Sequence, residues 1–544
     1  MNKSLIKYIE QAINSNLNKK ALSDYQGRTL TYMETAQQIN NLHSVFKKMN
    51  IKHGDKIALI GKNSLNWAIV YLSAITYGAV IVPVLPDFHS ADVIHILNHS
   101  DSVFLFASVN HFEQIDETQI PNINIVLSLE DFSILYTKKK NTETVINKIK
   151  ESSLNTTLNE VNFKDYPLDN LTSLVYTSGT TGYSKGVMLS LNSLTQNFIY
   201  AKNNMPLKSG DNILSFLPLA HAYGCSFEFI FPFCIGCHIT FLNKIPSPKI
   251  IVKAFSEIKP QLVLSVPLVI EKVYFAQVKP IISTTKMQIL LQTPIISKII
   301  KKKINAKLTD AFGGNFHEIV IGGAAMNIEV EDFFTSIGFK FTIGYGMTEC
   351  GPLITYCPWN KRTPHTCGKV VHSLQIKIDS PDQENIVGEI LVKGANVMNG
   401  YYKNPEASNE ALDDEGWLHT GDLGIVDKEG FVYIKGRKKN MLLGPSGQNI
   451  YPEEIEAKLN SMKYIMESLV LEDNGKIVAL IYPDYAEINN DNYSEKDIEK
   501  ILEKKRNEIN TQLPDYSKIM RVKLVPQEFE KTPTKKIKRF LYNY

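Results

Sequence analysis

The chain has 544 residues, 44% of them hydrophobic, with 59 basic against 56 acidic side chains and a net charge of +3. That length and apolar content suffice for more than one domain with a sizeable core. Lys and acidic residues are interspersed almost everywhere, without the basic stripe of a specific nucleic-acid binder, so no nucleic-acid partner is expected.

The first segment places Leu5, Ile6, Ile9 and Ile13 at helical spacing. It has neither a continuous apolar stretch nor a small-residue cleavage site, so it does not read as a secretion signal. A strand is expected over 56–61. Residues 67–85 are apolar enough to raise the question of a membrane span, but Gly78 and Pro83 divide them. A buried helix followed by a buried, β-branched parallel strand accounts for them better. Further strands at 173–178, 262–267 and 318–323, with helical stretches such as 330–338 between them, argue an α/β fold with mainly parallel sheets.

Six cysteines without an export signal suggest a reducing, cytoplasmic setting. Cys234 and Cys237, followed by His238, fit a haem-attachment string. They sit inside an apolar run, however, and two inert buried thiols are the preferred reading. The segment 286–307 mixes apolar residues with lysines. A helical insertion with a solvated Lys face is preferred there over a weak peripheral membrane contact.

The character of the chain changes near Gly436. A Gly/Pro/Ser loop (442–451) leads to a helix with Pro452 at its first position, Glu453 and Glu454 in its first turn, and Ile455 and Leu459 on one face. Short strands, a helix near 494–511 and a last strand follow. The expected organisation is a large N-terminal domain (1–436) and a small, mobile α+β C-terminal domain (437–544).

Five strings carry chemistry. The first runs from Tyr176 to Gly186: a strand enters a loop containing Thr177, Ser178, Gly179, Thr180, Thr181, Gly182 and Lys185. Glycines admit an anion close to backbone N–H groups, while the hydroxyls and the lysine add donors and positive charge, which together make a polyphosphate cradle. It is not a Walker A loop, because Ser184 precedes the lysine and a strand-like run follows it. The second is Gly344, Tyr345, Gly346, Met347, Thr348 and Glu349. It offers an aromatic for a base, a hydroxyl for a phosphate and a carboxylate for Mg²⁺. The third ends in Gly421 and Asp422, a carboxylate suited to ribose hydroxyls. The fourth is Gly436 with Arg437, Lys438 and Lys439. The fifth is the basic run from Lys531 to Arg539, which alone would be a solvated tail.

In this order and spacing the strings resemble the adenylate-forming superfamily of acyl-CoA synthetases, luciferases and nonribosomal peptide adenylation domains, over nearly the whole chain from Leu30 onward. Residues 217–224, 266–274, 321–326, 344–356, 388–402 and 436–456 look most like bacterial long-chain fatty-acid CoA ligases. The resemblance implies that Thr177 to Lys185 hold the β- and γ-phosphates and that Tyr345 stacks on adenine. Thr348 would contact the α-phosphate, and Glu349, with Thr177, would position Mg²⁺. Asp422 would bind the ribose with Arg437 nearby, while Gly322, Gly323 and Ala324 would line the adenine and carboxylate side. It places His221 between the nucleotide and acyl sites, Lys536 in the first half-reaction, Lys439 at a hinge and Gly447 at the pantetheine tunnel. Substrates implied are a fatty acid, ATP and CoA; an acyl carrier protein as acceptor, or a non-catalytic nucleotide-binding homologue, are the alternatives. Three positions depart from the pattern. Ser184 replaces a proline, Leu191 a histidine, and Lys535 the glycine before the catalytic lysine. Lys535 and Lys536 are thus both candidates, with Ile537 and Arg539 favouring Lys536.

Overall fold

The computed structural model describes residues 3–138, 160–177, 184–244, 248–443, 448–491, 493–532 and 537–542. Its largest sheet has seven strands. In spatial order they are Ile134–Thr137, Ile125–Ser128, Ser102–Ala107, Lys56–Ile60, Val80–Val84, Leu171–Thr177 and Lys185–Ser190. The five central strands are parallel and the two edge pairs antiparallel.

The apolar stretch that raised the membrane question divides as expected. Ser64 caps the helix Leu65–Tyr77 by accepting from the Trp67 N–H, and every residue from Leu65 to Thr76 is buried. A helix that is apolar all round has no solvent face to offer and belongs in a core. Gly78 ends it in the left-handed region (φ +86°), where a Cβ would strike the Tyr166 ring. The chain then turns directly into the buried strand Val80–Val84. Among the described residues no helix is long and apolar enough to cross a membrane.

A second sheet joins Asn212–Ser215, His238–Phe241, Lys20–Asp24 and Thr29–Thr31, parallel except for its last pair. A third is wholly parallel: Leu262–Ser265, Glu318–Ile321 and Phe341–Ile343. The strand–helix alternation stops there. From Tyr345 to Arg437 the sheets are antiparallel, ending in the meander Leu374–Asp379, Gly388–Gly394, Leu418–Val426 and Val432–Arg437.

The last hundred residues have their own cores. Ile450, Ile455, Leu459, Val470, Ile481, Leu502 and Ile519 fill one, between the helices Pro452–Asn460 and Glu495–Asn510 and a three-stranded sheet. Leu469, Leu480 and Phe529 fill a smaller one on the opposite sheet face. The molecule is therefore α/β, a large N-terminal domain with a small α+β C-terminal one. Between them run polar contacts: Lys435 to Glu454 (3.2 Å) and Lys279 to the Ser461 carbonyl (3.3 Å).

The haem-like string is core. Burial pushes the thiols of Cys234 and Cys237 well up, which leaves them unreactive, and His238 is bonded to the Ser23 hydroxyl at 2.7 Å.

Candidate active site

The first motif begins and ends on two antiparallel strands. Leu171–Thr177 and Lys185–Ser190 pair antiparallel with Thr177 opposite Lys185, so the two ends of the loop face each other across the ladder. Ser178, Gly179, Thr180, Thr181 and Gly182 lie outside the described residues. The outer strand is covered by the segment 399–402. Met188 N–H donates to the Gly400 carbonyl and Tyr402 N–H to that of Gly186, which seats Tyr401 beside Val187 and Lys185.

Tyr401 joins two expected site residues. Its hydroxyl donates to Glu349 Oε1 at 2.8 Å, and Lys185 Nζ lies 5.0 Å from its ring centroid. Burial, then the Glu349 charge, push the phenol well up, with Arg437 close enough to oppose the shift. Tyr401 is thus a neutral donor that holds one oxygen of the Glu349 carboxylate. Glu349 itself sits in the single turn Thr348–Cys350, whose Thr348 is buried, and its carbonyl accepts from Met398 N–H.

A second constellation adjoins it. The Tyr345 hydroxyl donates to Asp422 Oδ2 at 2.6 Å, and Arg437 Nε donates to Asp422 Oδ1 at 2.7 Å. Asp422 and Arg437 are direct partners across two strands, and Asp422 is only 4% exposed. Such a carboxylate is oriented before any ligand arrives. Gly346 must stay glycine here, since a Cβ would lie 2.3 Å from the Pro352 carbonyl oxygen. Gly344 is half-buried just before Tyr345 and donates to the Ile321 carbonyl.

On the third side, Gly322 N–H donates to Ser265, and Gly323 and Ala324 are exposed beyond the end of the parallel strand Glu318–Ile321. Tyr223 bridges this edge to His221. Its hydroxyl donates to the Val320 carbonyl at 3.0 Å, its ring lies against Gly322, and its N–H donates to His221 Nδ1 at 3.3 Å. The loop carrying His221 is pinned from below by Glu228, whose Oε2 accepts from Ser215 Oγ and from the Phe216 and Leu217 N–H groups.

Lys439 is exposed in the turn Lys438–Asn440 that follows Arg437. Gly447 and Lys536, with Lys535, lie outside the described residues. Lys531 and Ile537, which flank the lysine pair, form an antiparallel bridge, and Arg539 bonds to Glu456 and to the Val470 carbonyl. Sequence reasoning gave no role to Tyr401, Tyr223 or Glu389. The last accepts from Gly421 N–H (3.0 Å) and pairs with His419 and Lys438, so one carboxylate braces both the Asp422 strand and the turn after Arg437. Burial raises the Glu389 carboxyl, but these donors outweigh it and hold the group below its ordinary range.

Thr177 and Lys185 at the ends of the hydroxyl-rich string, an aromatic locked to a buried carboxylate, and a braced acid are a set suited to a nucleotide. The family model for the AMP-binding enzyme matches residues 9–402. The chain belongs to the AMP-binding enzyme family. That places it in the superfamily of adenylate-forming acid–thiol ligases, whose members use ATP and CoA-type substrates. Among curated relatives of this AMP-binding chain is a long-chain-fatty-acid–CoA ligase, FadD15, of Mycobacterium bovis. It is 28% identical over 473 residues, covering 82% of this chain and 75% of the relative. Another is the chloroplastic long-chain-fatty-acid–[acyl-carrier-protein] ligase AEE15 of Arabidopsis thaliana, 25% identical and covering 84% and 73%. ATP-bound MatB from Rhodopseudomonas palustris superposes with a TM-score of 0.79 at 21% identity, over 100% of this chain and 98% of that one, which shows a shared fold.

Proposed function

We propose that the chain activates a medium- or long-chain fatty acid with ATP and passes the acyl group to CoA. In the first step the fatty carboxylate oxygen attacks the α-phosphorus of ATP and pyrophosphate leaves. In the second, the CoA thiol attacks the acyl carbonyl and AMP leaves. The observation that carries the reading is that Lys185, Tyr401 and Glu349 meet beside Tyr345, Asp422 and Arg437. A triphosphate and its nucleoside would thus lie in one cleft.

Each group has a physical task in this reading. Two anions must be brought together, so catalysis is mainly positioning and charge neutralisation. Asp422 receives the ribose hydroxyls. Tyr345 presents its ring to the base, and Gly322, Gly323 and Ala324 form the opposite wall. Thr177, Lys185 and the loop between them take the β- and γ-phosphates, Thr348 the α-phosphate. His221, held by Tyr223 and Glu228, borders the acyl side. Lys536 supplies a charge for adenylation and is withdrawn afterwards as the unit 437–544 turns about Lys439, bringing Gly447 to the thiol path.

The donor set fits a metal of one kind. Among the described residues no three His, Cys, Asp or Glu side chains form a metal cluster. One carboxylate, Glu349, is held by Tyr401, whose ring Lys185 also approaches. That suits Mg²⁺, which is held by one or two carboxylates together with substrate phosphates and water. Bound with the nucleotide, it would offset phosphate charge.

The fatty-acyl substrate is supported by the similarity to FadD15, and a protein thiol as acceptor by that to AEE15. Pyrophosphate release measured across carboxylates of increasing length, with free CoA and with acyl carrier protein in parallel, tests both. Release rising with chain length and thioester formed on CoA are expected. Release independent of any fatty acid refutes the reading, and acylation of carrier protein alone transfers it to that acceptor.

A further inference from the structure

The helices Thr285–Gln292 and Pro294–Ala311 form an insertion between the strands Leu262–Ser265 and Glu318–Ile321, and only Leu308 among their residues is buried. Ile300 and Ile304 are half-buried, with Ile304 and Leu308 against the neighbouring core. The opposite side is unusual. Ile289, Ile295 and Ile299 are 61%, 76% and 52% exposed and, with Ile296, surround the joint at Thr293. Isoleucines gathered at one tip cost solvation that scattered surface ones do not.

Charge is gathered at the same place. From Lys272 to Thr309 there are eight lysines and no Asp or Glu, in a chain whose total balance is +3. Of these only Lys279 is ion-paired among the described residues, to Glu329. Acids border the stretch rather than enter it: Glu271 just before it accepts from Asn327 N–H, and Asp310 just after it lies at the far end of the second helix. Lys298, Lys302 and Lys303 share the exposed side of the helix with Ile295 and Ile299.

We infer that this tip docks on an anionic lipid bilayer, with the isoleucines entering the interface and the lysines lying over the headgroups. A second copy of the chain is a poorer occupant, because a symmetric contact would oppose two faces of the same charge. The inference rests on the proposed fatty-acyl reading for its purpose, since a long-chain acid partitions into membranes, but its physics stands on the surface alone.

Co-sedimentation with vesicles tests it, using phosphatidylcholine alone and phosphatidylcholine with one-third phosphatidylglycerol, at low and high salt. The full-length protein should bind the anionic vesicles at low salt and be released by salt. The variant Lys298→Glu/Lys302→Glu/Lys303→Glu should lose about a hundredfold in partitioning, and Ile295→Ser/Ile299→Ser about tenfold. Both should keep wild-type pyrophosphate release with a water-soluble medium-chain acid in vesicle-free buffer, which shows that they are folded. Failure of the wild type to bind at low salt, binding unchanged in both variants, or a dimer that dissociates in the isoleucine variant without any vesicle binding would each overturn the inference. Absence of acid-dependent pyrophosphate release from the wild type would instead count against the proposed function.

Discussion

Tyr401 is the residue whose role depends most on the fold. Its partner Glu349 is 52 positions away, and the Lys185 beneath its ring is farther still. Nothing in the string around Tyr401 announces that a buried phenol will donate to a carboxylate. A hydrogen bond to a charged group is worth more than a neutral one, and under the proposed function this one would orient Glu349 toward the metal. Tyr401→Phe should therefore raise the Mg²⁺ concentration for half-maximal adenylate formation about tenfold while leaving stability within about 1.5 kcal/mol. An Mg²⁺ titration read by pyrophosphate release checks this, and an unchanged midpoint would remove the role. Asp422 and Tyr345, by contrast, could be singled out from their strings because their residue types at turn-rich strand ends point to chemistry. What the strings could not show is that the two are partners of each other.

At the scale of elements, strands and helices follow their local patterns. The buried helix Leu65–Tyr77 and the helix from Pro452 lie where apolar spacing, caps and Pro position put them. The antiparallel sheets between Tyr345 and Arg437 were not expected, because short strands separated by turns carry no mark of their partners' direction. The C-terminal tail is tied down by several contacts, among them a partly buried ion pair. Arg539 reaches Glu456 on the helix Pro452–Asn460, next to the stretch bearing Lys536. Burial, only partly offset by Arg539, lifts the Glu456 carboxyl from 4.5 to about 7. The folded state thus binds that proton more tightly than the unfolded chain. Its contribution to stability is complete below the unfolded value and is lost as pH rises through the folded one. Glu456→Gln should abolish about 1–3 kcal/mol of pH dependence in the urea unfolding of the C-terminal unit between about pH 4.5 and 7. An unaltered pH profile would show that the pair does not govern the tail.

Across the whole molecule, the separate cores on either side of the stretch 436–449 and the polar contacts between them among the described residues suit one unit turning on the other. Lys439 lies in the exposed turn that joins them. Proline fixes φ near −65° and removes an N–H donor, so it stiffens such a turn. Lys439→Pro is expected to preserve acid-dependent pyrophosphate release and to lower thioester formation at least tenfold. Lys536→Ala should do the reverse, blocking adenylation while supplied acyl-adenylate is still converted to thioester. Equal loss of both half-reactions in either variant would contradict the hinge and its lysine.

By itself the amino-acid order determined the fold class, the two-part organisation and the candidate positions. Apolar periodicity, glycine and proline punctuation and the residue types of a phosphate loop are local properties. Only the tertiary structure decided which candidates touch. It joined Lys185 to Glu349 through Tyr401, locked Tyr345 and Arg437 onto Asp422, and gave Glu389 and Glu228 their supporting places. It also left the isoleucines around Thr293 facing outward. These are contacts between segments far apart in the chain, and a hydrogen bond or an uncovered face exists only once packing has set which surfaces meet.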